Sequence, residues 1–278
     1  MFLAAVIRLR LVETAPLPPY LGRAAHACFF ELLGAVDQGF ADELHNADRP
    51  KGFTVSDLIG LPAQAQVPAG QPCALRLTST DTHLSQLLRD RILPGLPDRL
   101  QLGGQAFAVE GVATDAAAHP LAGAADPAEL AASFLFRGPP PGNRITLTFA
   151  SPTTFRSGGH NVPLPLPALV FGGYLDRWNA QVESQLSPDL RRFAEECVGV
   201  SRYRLETALV PVEPGAAQVG FTGTCQFTVL NHDNYWIRLL HLLAAFSFWC
   251  GTGYKTTMGL GQTRPPPPPR IDTQGGPQ

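Results

Sequence analysis

Hydrophobic and polar positions in the first half of the chain predict alternating strands and helices. Residues 2–12 place Arg8 and Arg10 between apolar neighbours, a pattern typical of a half-buried strand. Residues 23–36 repeat apolar side chains at helical spacing and predict an amphipathic helix. The other predicted elements of this half are a strand, a helix and a strand, over residues 73–78, 84–92 and 105–112. The predicted order is therefore β-α-β-α-β.

The second half repeats this alternation after a loose stretch rich in Ala, Gly and Pro, residues 114–141. Its predicted elements are a strand, a helix, two strands and a final helix, over residues 143–150, 167–181, 198–210, 220–230 and 235–249. Two units of split βαβ type, each an antiparallel sheet covered by helices, fit this order. We therefore predict an α+β protein with tandem domains over residues 1–125 and 143–264. Residues 265–278 hold five consecutive prolines and are expected to form an extended, disordered tail or, alternatively, a docking segment.

The composition indicates a globular protein. A hydrophobic content of 45% over 278 residues is enough for one large or two small cores. No run approaches the roughly 18 apolar residues of a membrane span, and the first residues lack the features of a signal peptide. We expect a cytoplasmic protein that does not associate with a membrane. The five cysteines are widely spread without a C-x-x-C pair, so reduced core thiols and no metal or other cofactor are expected.

The net charge of −2 hides an uneven distribution along the chain. Residues 1–136 hold 9 basic and 14 acidic side chains, whereas residues 137–270 hold 12 basic and 8 acidic ones. The second half could carry a basic face for a polyanion, although asymmetries of this size are common. Only two of the 21 basic residues are lysines, Lys51 and Lys255, and a compact ammonium suits a point contact with one phosphate oxygen. On count alone, chance explains the two lysines equally well.

A glycine-rich loop follows the last predicted helix. Two Gly-x-Gly pairs, over residues 251–253 and 259–261, bracket a run of polar residues: Tyr254, Lys255, Thr256 and Thr257. Glycine is used where φ is positive or where another backbone comes close. The loop is therefore predicted to be a backbone cradle for an anion.

Residues 43–54 form a turn-rich segment with a second group of candidate residues. His45 and Lys51 could face one ligand, the histidine as acid or base and the lysine as a stabiliser of charge. His26 lies one turn before Phe30 on the first predicted helix and could meet His45. Two imidazoles flanking a ribose and its phosphate would supply a base and an acid without a metal. The alternatives are a solvated loop histidine for His45 and a surface helix histidine for His26.

Three common catalytic motifs are absent from the glycine-rich loop and the rest of the sequence. The phosphate-binding P-loop requires glycine immediately before its lysine, but Tyr254 precedes Lys255. The dinucleotide-binding G-x-G-x-x-G requires a third glycine where Thr256 stands. No G-x-S-x-G nucleophile elbow occurs. The sequence therefore does not favour an ATPase, a dehydrogenase or a serine hydrolase.

The two candidate segments together resemble a known protein family. An apolar helix followed by the glycine-rich residues 251–261 resembles the C-terminal loop of the Cas6 family of CRISPR repeat-processing endoribonucleases, members of the RAMP superfamily. Residues 44–54 resemble the N-terminal catalytic loop of that family, with His and Lys at the same separation. Residues 151–156 and 163–170, leading to 177–179, are similar to family members too. The resemblance covers about residues 1–264 and implies two tandem ferredoxin-like, RRM-type domains with antiparallel sheets.

The resemblance implies metal-independent cleavage of precursor CRISPR RNA within each repeat, which generates guide RNA. The ribose 2′-hydroxyl would attack the adjacent phosphate and leave 2′,3′-cyclic phosphate and 5′-hydroxyl ends. His45 would be a general acid or base, and Lys51 would stabilise charge at the phosphorus. Some members place a tyrosine on the first helix where this chain has Phe30, which cannot transfer a proton. We hypothesise that His26 takes that role.

The resemblance also implies contacts with RNA. The backbone N–H groups of Gly251, Gly253, Gly259 and Gly261 are expected to grip phosphates. Three side chains of the same loop are expected to contact phosphates: Lys255, Thr256 and Thr257. The ring of Tyr254 is expected to stack on a base. The basic half adds three expected phosphate contacts, which are alternatively ordinary surface arginines: Arg156, Arg202 and Arg204. Arg202 and Arg204 fall at strand spacing and so share one face.

The implied partners are CRISPR repeat RNA and its processed crRNA, with a CRISPR effector complex and a second copy of the chain as further expected partners. Two alternatives remain open at this point. One is a member that binds crRNA and cleaves it only weakly, which the phenylalanine at position 30 favours. The other is an effector-complex subunit without processing activity, which would need neither His45 nor Lys51.

Overall fold

The computed structural model describes residues 1–47, 50–62, 66–213 and 216–264, and in them two antiparallel sheets carry packed helices. The strands of the first half are β1 (Phe2–Leu11), β2 (Phe53–Val55), β3 (Pro72–Ser79), β4 (Arg99–Leu102), β5 (Gln105–Ala113) and β6 (Gly123–Ala125). Its helices are α1 (Gly22–Val36), α2 (Gln38–Asn46), α3 (Thr82–Leu87), which continues as a π-helical turn (Leu88–Ile92), and α4 (Pro127–Leu135). The first sheet has the strand order β2-β3-β1-β5-β4, with β6 paired to β1.

The second half has the same plan. Its strands are β7 (Arg144–Thr153), β8 (Phe155–Ser157), β9 (His160–Val162), β10 (Val198–Glu213), β11 (Ala216–Val229) and β12 (Thr263–Arg264). Its helices are α5 (Pro167–Gln181), α6 (Asp189–Cys197) and α7 (Asn234–Cys250), followed by a 3₁₀ turn (Thr256–Met258). The second sheet has the order β10-β11-β7-β12, and β8 and β9 form a separate hairpin.

Both sheets have the strand order of a split βαβ unit. In the first sheet β1 lies between β3 and β5, and in the second sheet β7 lies between β11 and β12. The predicted fold class, α+β with two tandem ferredoxin-like domains, is confirmed. The domain limits 1–125 and 143–264 stay a prediction, and the predicted tail, 265–278, lies outside the described residues. Among the described helices, none combines the length and apolar character needed to cross a bilayer.

Strand β1 is more buried than its sequence pattern predicts. Residues 2–7 are all buried. The Phe2 ring packs in the core of the second domain, with its centroid 6.0 Å from that of Trp178 and 5.1 Å from that of Phe246. Neighbouring residues of β1 belong to the core of the first domain. The half-buried strand predicted for residues 2–12 is therefore wrong at its start, because Phe2 packs in the core of the second domain and Val6 packs with Ala113 and Ala122.

Helices α2, α4 and α6 were not predicted from hydrophobic periodicity. Helix α2 occupies the first part of the turn-rich segment, and the Asp37 carboxylate caps it by accepting from the Phe40 N–H at 2.9 Å. Helix α4 lies in the stretch expected to be loose. It begins at Pro127, and the Asp126 carboxylate accepts from the first free N–H groups. An aspartate cap therefore starts both helices, α4 has a proline in its first turn as well, and each is only nine residues long.

Polar side chains of the first sheet fix the end of α7. The Arg76 guanidinium donates to the Phe248 carbonyl at 2.6 Å, and the Thr78 hydroxyl donates to the Trp249 carbonyl at 2.5 Å. These are carbonyls that a helix leaves unpaired at its C-terminus. Arg76 also donates to the side chain of Gln262 at 2.8 Å, just after the glycine-rich loop. The first domain therefore determines where that loop starts and ends.

Replacing Arg76 with alanine should destabilise the fold strongly. The change removes the donor to the carbonyls of Phe248 and Leu121 and to the Gln262 side chain. Because each unsatisfied buried group costs roughly 1–3 kcal/mol, the free energy of unfolding measured in urea should fall by about 3 kcal/mol or more. Arg23→Ala, on the exposed side of α1, is the control and should change it by less than about 0.5 kcal/mol. Equal effects of the two substitutions would contradict this role for Arg76.

Candidate active site

Helices α1 and α2 bring the two candidate histidines into contact with one aromatic ring. His26 lies on α1, and His45 lies in the last turn of α2 rather than in the turn-rich loop that the sequence predicts. The ring centroid of Phe30 is 4.9 Å from that of His26 and 5.3 Å from that of His45. His26 is half-buried, whereas His45 is exposed. Two imidazoles of different helices thus contact one ring, and that ring has no group able to transfer a proton.

The imidazole of His26 is held by the glycine-rich loop. Its Nδ1 lies 2.9 Å from the carbonyl oxygen of Thr257. Because a carbonyl oxygen only accepts, Nδ1 carries the hydrogen, and Nε2 of the neutral ring keeps its lone pair. Burial lowers the pKa of His26, the Thr257 carbonyl raises it, and the charges of His45 and Lys51 lower it further. The ring is therefore arranged as a neutral base in one fixed tautomer.

Lys51 caps the helix that carries His45. Its Nζ donates to the backbone carbonyls of Leu44, His45 and Ala47 at 2.6, 2.9 and 2.8 Å. The C-terminus of a helix leaves such carbonyls unpaired and favours a positive charge nearby. Lys51 therefore orients the last turn of α2 and also places a positive charge close to His26.

Backbone packing within the protein explains the glycines of the loop. A Cβ atom at Gly253 would overlap the carbonyl oxygen of Thr154, and one at Gly261 would overlap that of Thr252. Both glycines also have a positive φ, 81° and 69°. Glycine is required at both positions because of the close backbone approach and the left-handed conformation. Contacts within the protein shape the loop, whereas the sequence pattern predicts a loop shaped by an anion.

Backbone N–H groups at the base of the loop are bonded within the protein. Those of Gly251, Gly259 and Gly261 donate to carbonyls of α7, β2 and β7 at 3.0, 2.8 and 3.0 Å. All three glycines are buried. The expectation that they grip phosphates is therefore corrected, because their N–H groups already have partners and do not face solvent.

The rim of the loop carries its accessible side chains. Tyr254 is 38% exposed, and its ring centroid lies 5.8 Å from Nζ of Lys255. Thr257 is half-buried, as is Gly253, whereas Thr256 is buried. Lys255 has a φ of 56° and, within the described ranges, is the one residue other than glycine with a positive φ. The loop therefore presents an aromatic ring and an ammonium side by side, the latter on a strained backbone.

A basic cleft of about 840 Å³ runs from the end of α2 along the loop to α5. Its cationic lining residues are Lys51, Arg156, Arg177, Arg191 and Lys255. Two lining residues, Lys51 and Thr257, make the contacts to His45 and His26 described above. The candidate active site thus lies at one end of this cleft.

Arg177 is a candidate residue that the sequence analysis did not select. Its guanidinium donates to the Gly253 carbonyl at 2.5 Å and lines the cleft. Helical periodicity places Arg177 on α5 but does not indicate which distant loop it meets. Asp176, its neighbour, pairs with Arg191, so the negative charge on this wall of the cleft is offset.

Arg202 and Arg204 lie on another surface. Both are exposed on one face of β10, as the strand spacing predicts. Arg204 is in register, through β11, with Thr148 of β7 and Arg264 of β12. The structure therefore brings Arg156 to the basic cleft but places these two arginines on the face of the second sheet that the helices leave open.

Carboxylate and thiol groups add no metal site in the described part of the chain. Among those residues, no three His, Cys, Asp or Glu side chains are arranged to hold a metal ion. The cysteines are free thiols, and they are buried apart from the half-buried Cys197. Burial raises the pKa of Cys250, next to the loop, to about 12, so its thiol is not a nucleophile at neutral pH.

Family models match both halves of the chain. The model described as CRISPR Cas6 N-terminal domain matches residues 4–126, and the one described as CRISPR-associated endoribonuclease Cas6 matches residues 147–263. A curated CRISPR-associated endoribonuclease Cas6 from Mycobacterium tuberculosis is 35% identical over 136 residues, which cover 48% of this chain and 42% of that protein. One from Streptococcus thermophilus is 28% identical over 119 residues, which cover 42% of this chain and 48% of that protein. The match thus spans less than half the length of these curated relatives.

Solved structures match nearly the whole chain. A product complex of Thermus thermophilus Cas6 is 32% identical with a TM-score of 0.79, and the match covers 95% of this chain and 100% of that chain. A second Cas6, in a substrate mimic complex, is 25% identical with a TM-score of 0.72, and the match covers 95% of this chain and 99% of that chain. The chain therefore belongs to the CRISPR-associated Cas6 family, which confirms the resemblance found in the sequence.

Proposed function

We propose that the chain is an endoribonuclease that cleaves precursor CRISPR RNA within its repeats, without a metal ion, and so generates guide RNA. The observation that carries this proposal is the contact of His26 with the Thr257 carbonyl, which fixes one imidazole beside Phe30, the ring that His45 also contacts. The names of its relatives, CRISPR-associated endoribonuclease Cas6, support RNA cleavage, and the product complex of a similar structure supports RNA binding.

The two imidazoles provide a base and an acid for attack by a 2′-hydroxyl. Nε2 of His26 accepts the proton of this hydroxyl, and the 2′-oxygen bonds to the adjacent phosphorus. His45, protonated, gives a proton to the 5′-oxygen as the P–O5′ bond breaks. The products are a 2′,3′-cyclic phosphate and a 5′-hydroxyl. His26 is assigned as the base because its Nδ1–H is committed to the Thr257 carbonyl and its pKa is lowered.

Lys51 supports this step through its position and its charge. Its three carbonyl contacts hold the last turn of α2, and with it the His45 backbone. An ammonium group has three hydrogens, so direct donation to a phosphate would require exchange of one of these bonds. The positive charge stabilises the negative charge that develops on the phosphorane even without that exchange.

We place the RNA along the basic cleft. Arg156 and Lys255 contact phosphates there, and Tyr254 stacks on a base. Thr257 adds its hydroxyl at the end nearest the scissile phosphate. Arg202 and Arg204 contact RNA only if the substrate also reaches the open face of the second sheet.

Lys255→Gly should weaken RNA binding without destabilising the protein. Lys255 has a φ of 56°, and the left-handed conformation costs a residue with a side chain roughly 1–2 kcal/mol, a cost that glycine avoids. Glycine also loses roughly 0.5–1 kcal/mol more backbone entropy on folding, which offsets much of this gain, so the unfolding free energy should change by less than about 1 kcal/mol. Loss of one charge-assisted phosphate contact should weaken repeat RNA binding about tenfold. The slope of log affinity against log salt concentration should become shallower by about one. Lys255→Arg, which keeps the charge, is the control, and an unchanged salt dependence in the glycine variant would contradict the contact.

The function is tested by incubating CRISPR repeat RNA of the source genome with the wild type and with His45→Ala, in excess chelator. We expect a single cut with 2′,3′-cyclic phosphate and 5′-hydroxyl ends, and loss of about 10²–10⁴-fold in rate in the variant. Cleavage that requires added metal would contradict metal independence. Neither binding nor cleavage of repeat RNA would contradict the function as a whole.

A second candidate function is binding of crRNA with weak cleavage, and Phe30 is the observation that favours it. This residue stands where some family members have a tyrosine, so His26 has to supply the missing group. Tight binding of the repeat with no cut by either protein would support the second candidate. Association with a CRISPR effector complex and formation of a homodimer stay predictions.

A further inference from the structure

We propose that His26 and His45 also hydrolyse the 2′,3′-cyclic phosphate to a 3′-monophosphate, so that this enzyme releases an opened RNA end. The inference rests on the proposed function, because the cyclic phosphate is its product. It concerns a second reaction, with water as the nucleophile, at the same two side chains.

Cleavage leaves the two imidazoles in the protonation states that hydrolysis requires. After the first step His26 has gained the proton of the 2′-hydroxyl, and His45 has lost one to the 5′-oxygen. His45 is then the base and His26 the acid. Protonation of Nε2 leaves the bond from Nδ1 to the Thr257 carbonyl intact, and that bond favours the charged ring. The acid of the second step is therefore already oriented.

The hydrolysis step is balanced without any further reactant. His45 removes a proton from water, and the water oxygen bonds to the phosphorus. The P–O2′ bond breaks, and His26 gives its proton to the 2′-oxygen. The RNA now ends in a 2′-hydroxyl and a 3′-monophosphate, and both histidines return to the states from which cleavage starts.

Solvent access supports entry of the water. His45 is exposed, and the site adjoins an open cleft of about 840 Å³. Once the downstream RNA with its 5′-hydroxyl leaves, the position of the leaving oxygen next to His45 is open to water. The half-buried His26 keeps its place against Phe30.

The residue pair of this chain suits both steps because both groups are imidazoles. An unperturbed imidazole has a pKa of about 6.5, so it accepts and gives protons near neutral pH, whereas a phenol, with a pKa of about 10, is a much weaker acid. Phe30 contributes neither. A site that used a tyrosine in place of His26 would be less able to exchange the roles of acid and base.

The test uses a repeat fragment that already ends in a 2′,3′-cyclic phosphate, incubated with the protein in excess chelator. Conversion is followed by mass, as the gain of one water molecule, and by sensitivity of the end to phosphatase. We expect conversion by the wild type and a loss of about 100-fold or more in His26→Ala and in His45→Ala. His83→Ala, an exposed histidine on α3, is the matched control and should convert the fragment as the wild type does. Binding of the same fragment and thermal unfolding show whether each variant is folded.

The outcomes separate this inference from the proposed function. If the wild type cleaves the intact repeat but leaves the cyclic end unchanged during prolonged incubation, the inference is overturned and the function stands. Conversion at an equal rate by wild type, His26→Ala and His45→Ala also overturns it. If the wild type neither cleaves the repeat nor converts the cyclic fragment, the proposed function fails together with the inference.

Discussion

His26→Ala should lower the single-turnover rate of repeat cleavage about 10²–10⁴-fold, the range for loss of a general base. The reason is geometric: Nδ1 is bonded to the Thr257 carbonyl, and Nε2 is the atom left to accept the 2′-hydroxyl proton. RNA affinity should change much less, because His26 is half-buried and the cationic side chains of the cleft are retained. Full single-turnover cleavage by the variant would refute the role of His26.

The pH dependence distinguishes a base from a residue that only supports the fold. The pKa of His26 is lowered from its ordinary value of 6.5, so the folded protein keeps the ring neutral at pH 7. The acidic limb of the cleavage rate, where the base becomes protonated, should therefore lie below pH 6.5. Stability follows the same sign, since this group's contribution is complete above pH 6.5 and is lost as the pH falls. An acidic limb at the same pH in the residual activity of His26→Ala would contradict the assignment.

Gly261→Ala should cause the second large loss, in both stability and cleavage. The added methyl would overlap the Thr252 carbonyl oxygen, and the backbone has a φ of 69°. The left-handed conformation costs roughly 1–2 kcal/mol, and the overlap adds roughly 1–3 kcal/mol. Relief of the overlap moves the loop that carries the Thr257 carbonyl. Because a displacement of about 1 Å can cost about 10²-fold in rate, cleavage should fall by at least that factor.

Gly158→Ala is the matched control for this substitution. Gly158 also has a positive φ, 56°, but it lies in the turn between β8 and β9 with open space around a Cβ atom. Its free energy of unfolding in urea should fall only by the cost of the left-handed conformation for alanine, about 1–2 kcal/mol. Equal losses of stability in the two variants would show that backbone conformation, and not packing of the loop, accounts for the effect at Gly261.

Long elements could be predicted from the sequence, whereas the nine-residue helices α2, α4 and α6 could not. Helix α5 has its predicted bounds because its apolar residues repeat over fifteen positions. Helix α2 has only nine residues and an aspartate cap, and it overlaps the segment that the sequence predicts as turns. The burial of β1 could not be predicted, because distant residues cover its second face: Trp178 packs against Phe2, and Ala122 packs with Val6.

The candidate residues could be named from the sequence, but their arrangement could not. The histidines, Lys51 and the loop were selected by residue type and spacing. The bond from His26 to Thr257 joins residues 231 positions apart, and no local pattern contains it. The same holds for Arg177 on Gly253. The glycines of the loop could be misread for a related reason. A ligand-binding loop and a tightly packed connection are both rich in glycine, so the sequence does not show that three of the N–H groups are buried.

The burial of β1 by both cores also bears on how the chain acquires its structure. The strand hydrogen-bonds to β3 and β5 in the first sheet, yet its Phe2 ring packs against Trp178 and Phe246. On the ribosome, where chains grow at roughly 5–20 residues per second, Phe2 waits many seconds before α7 is made. Until then an apolar side chain of the first sheet remains open to water. The last helix therefore completes the packing of the first strand, so the first sheet reaches its final burial only after the second domain is made.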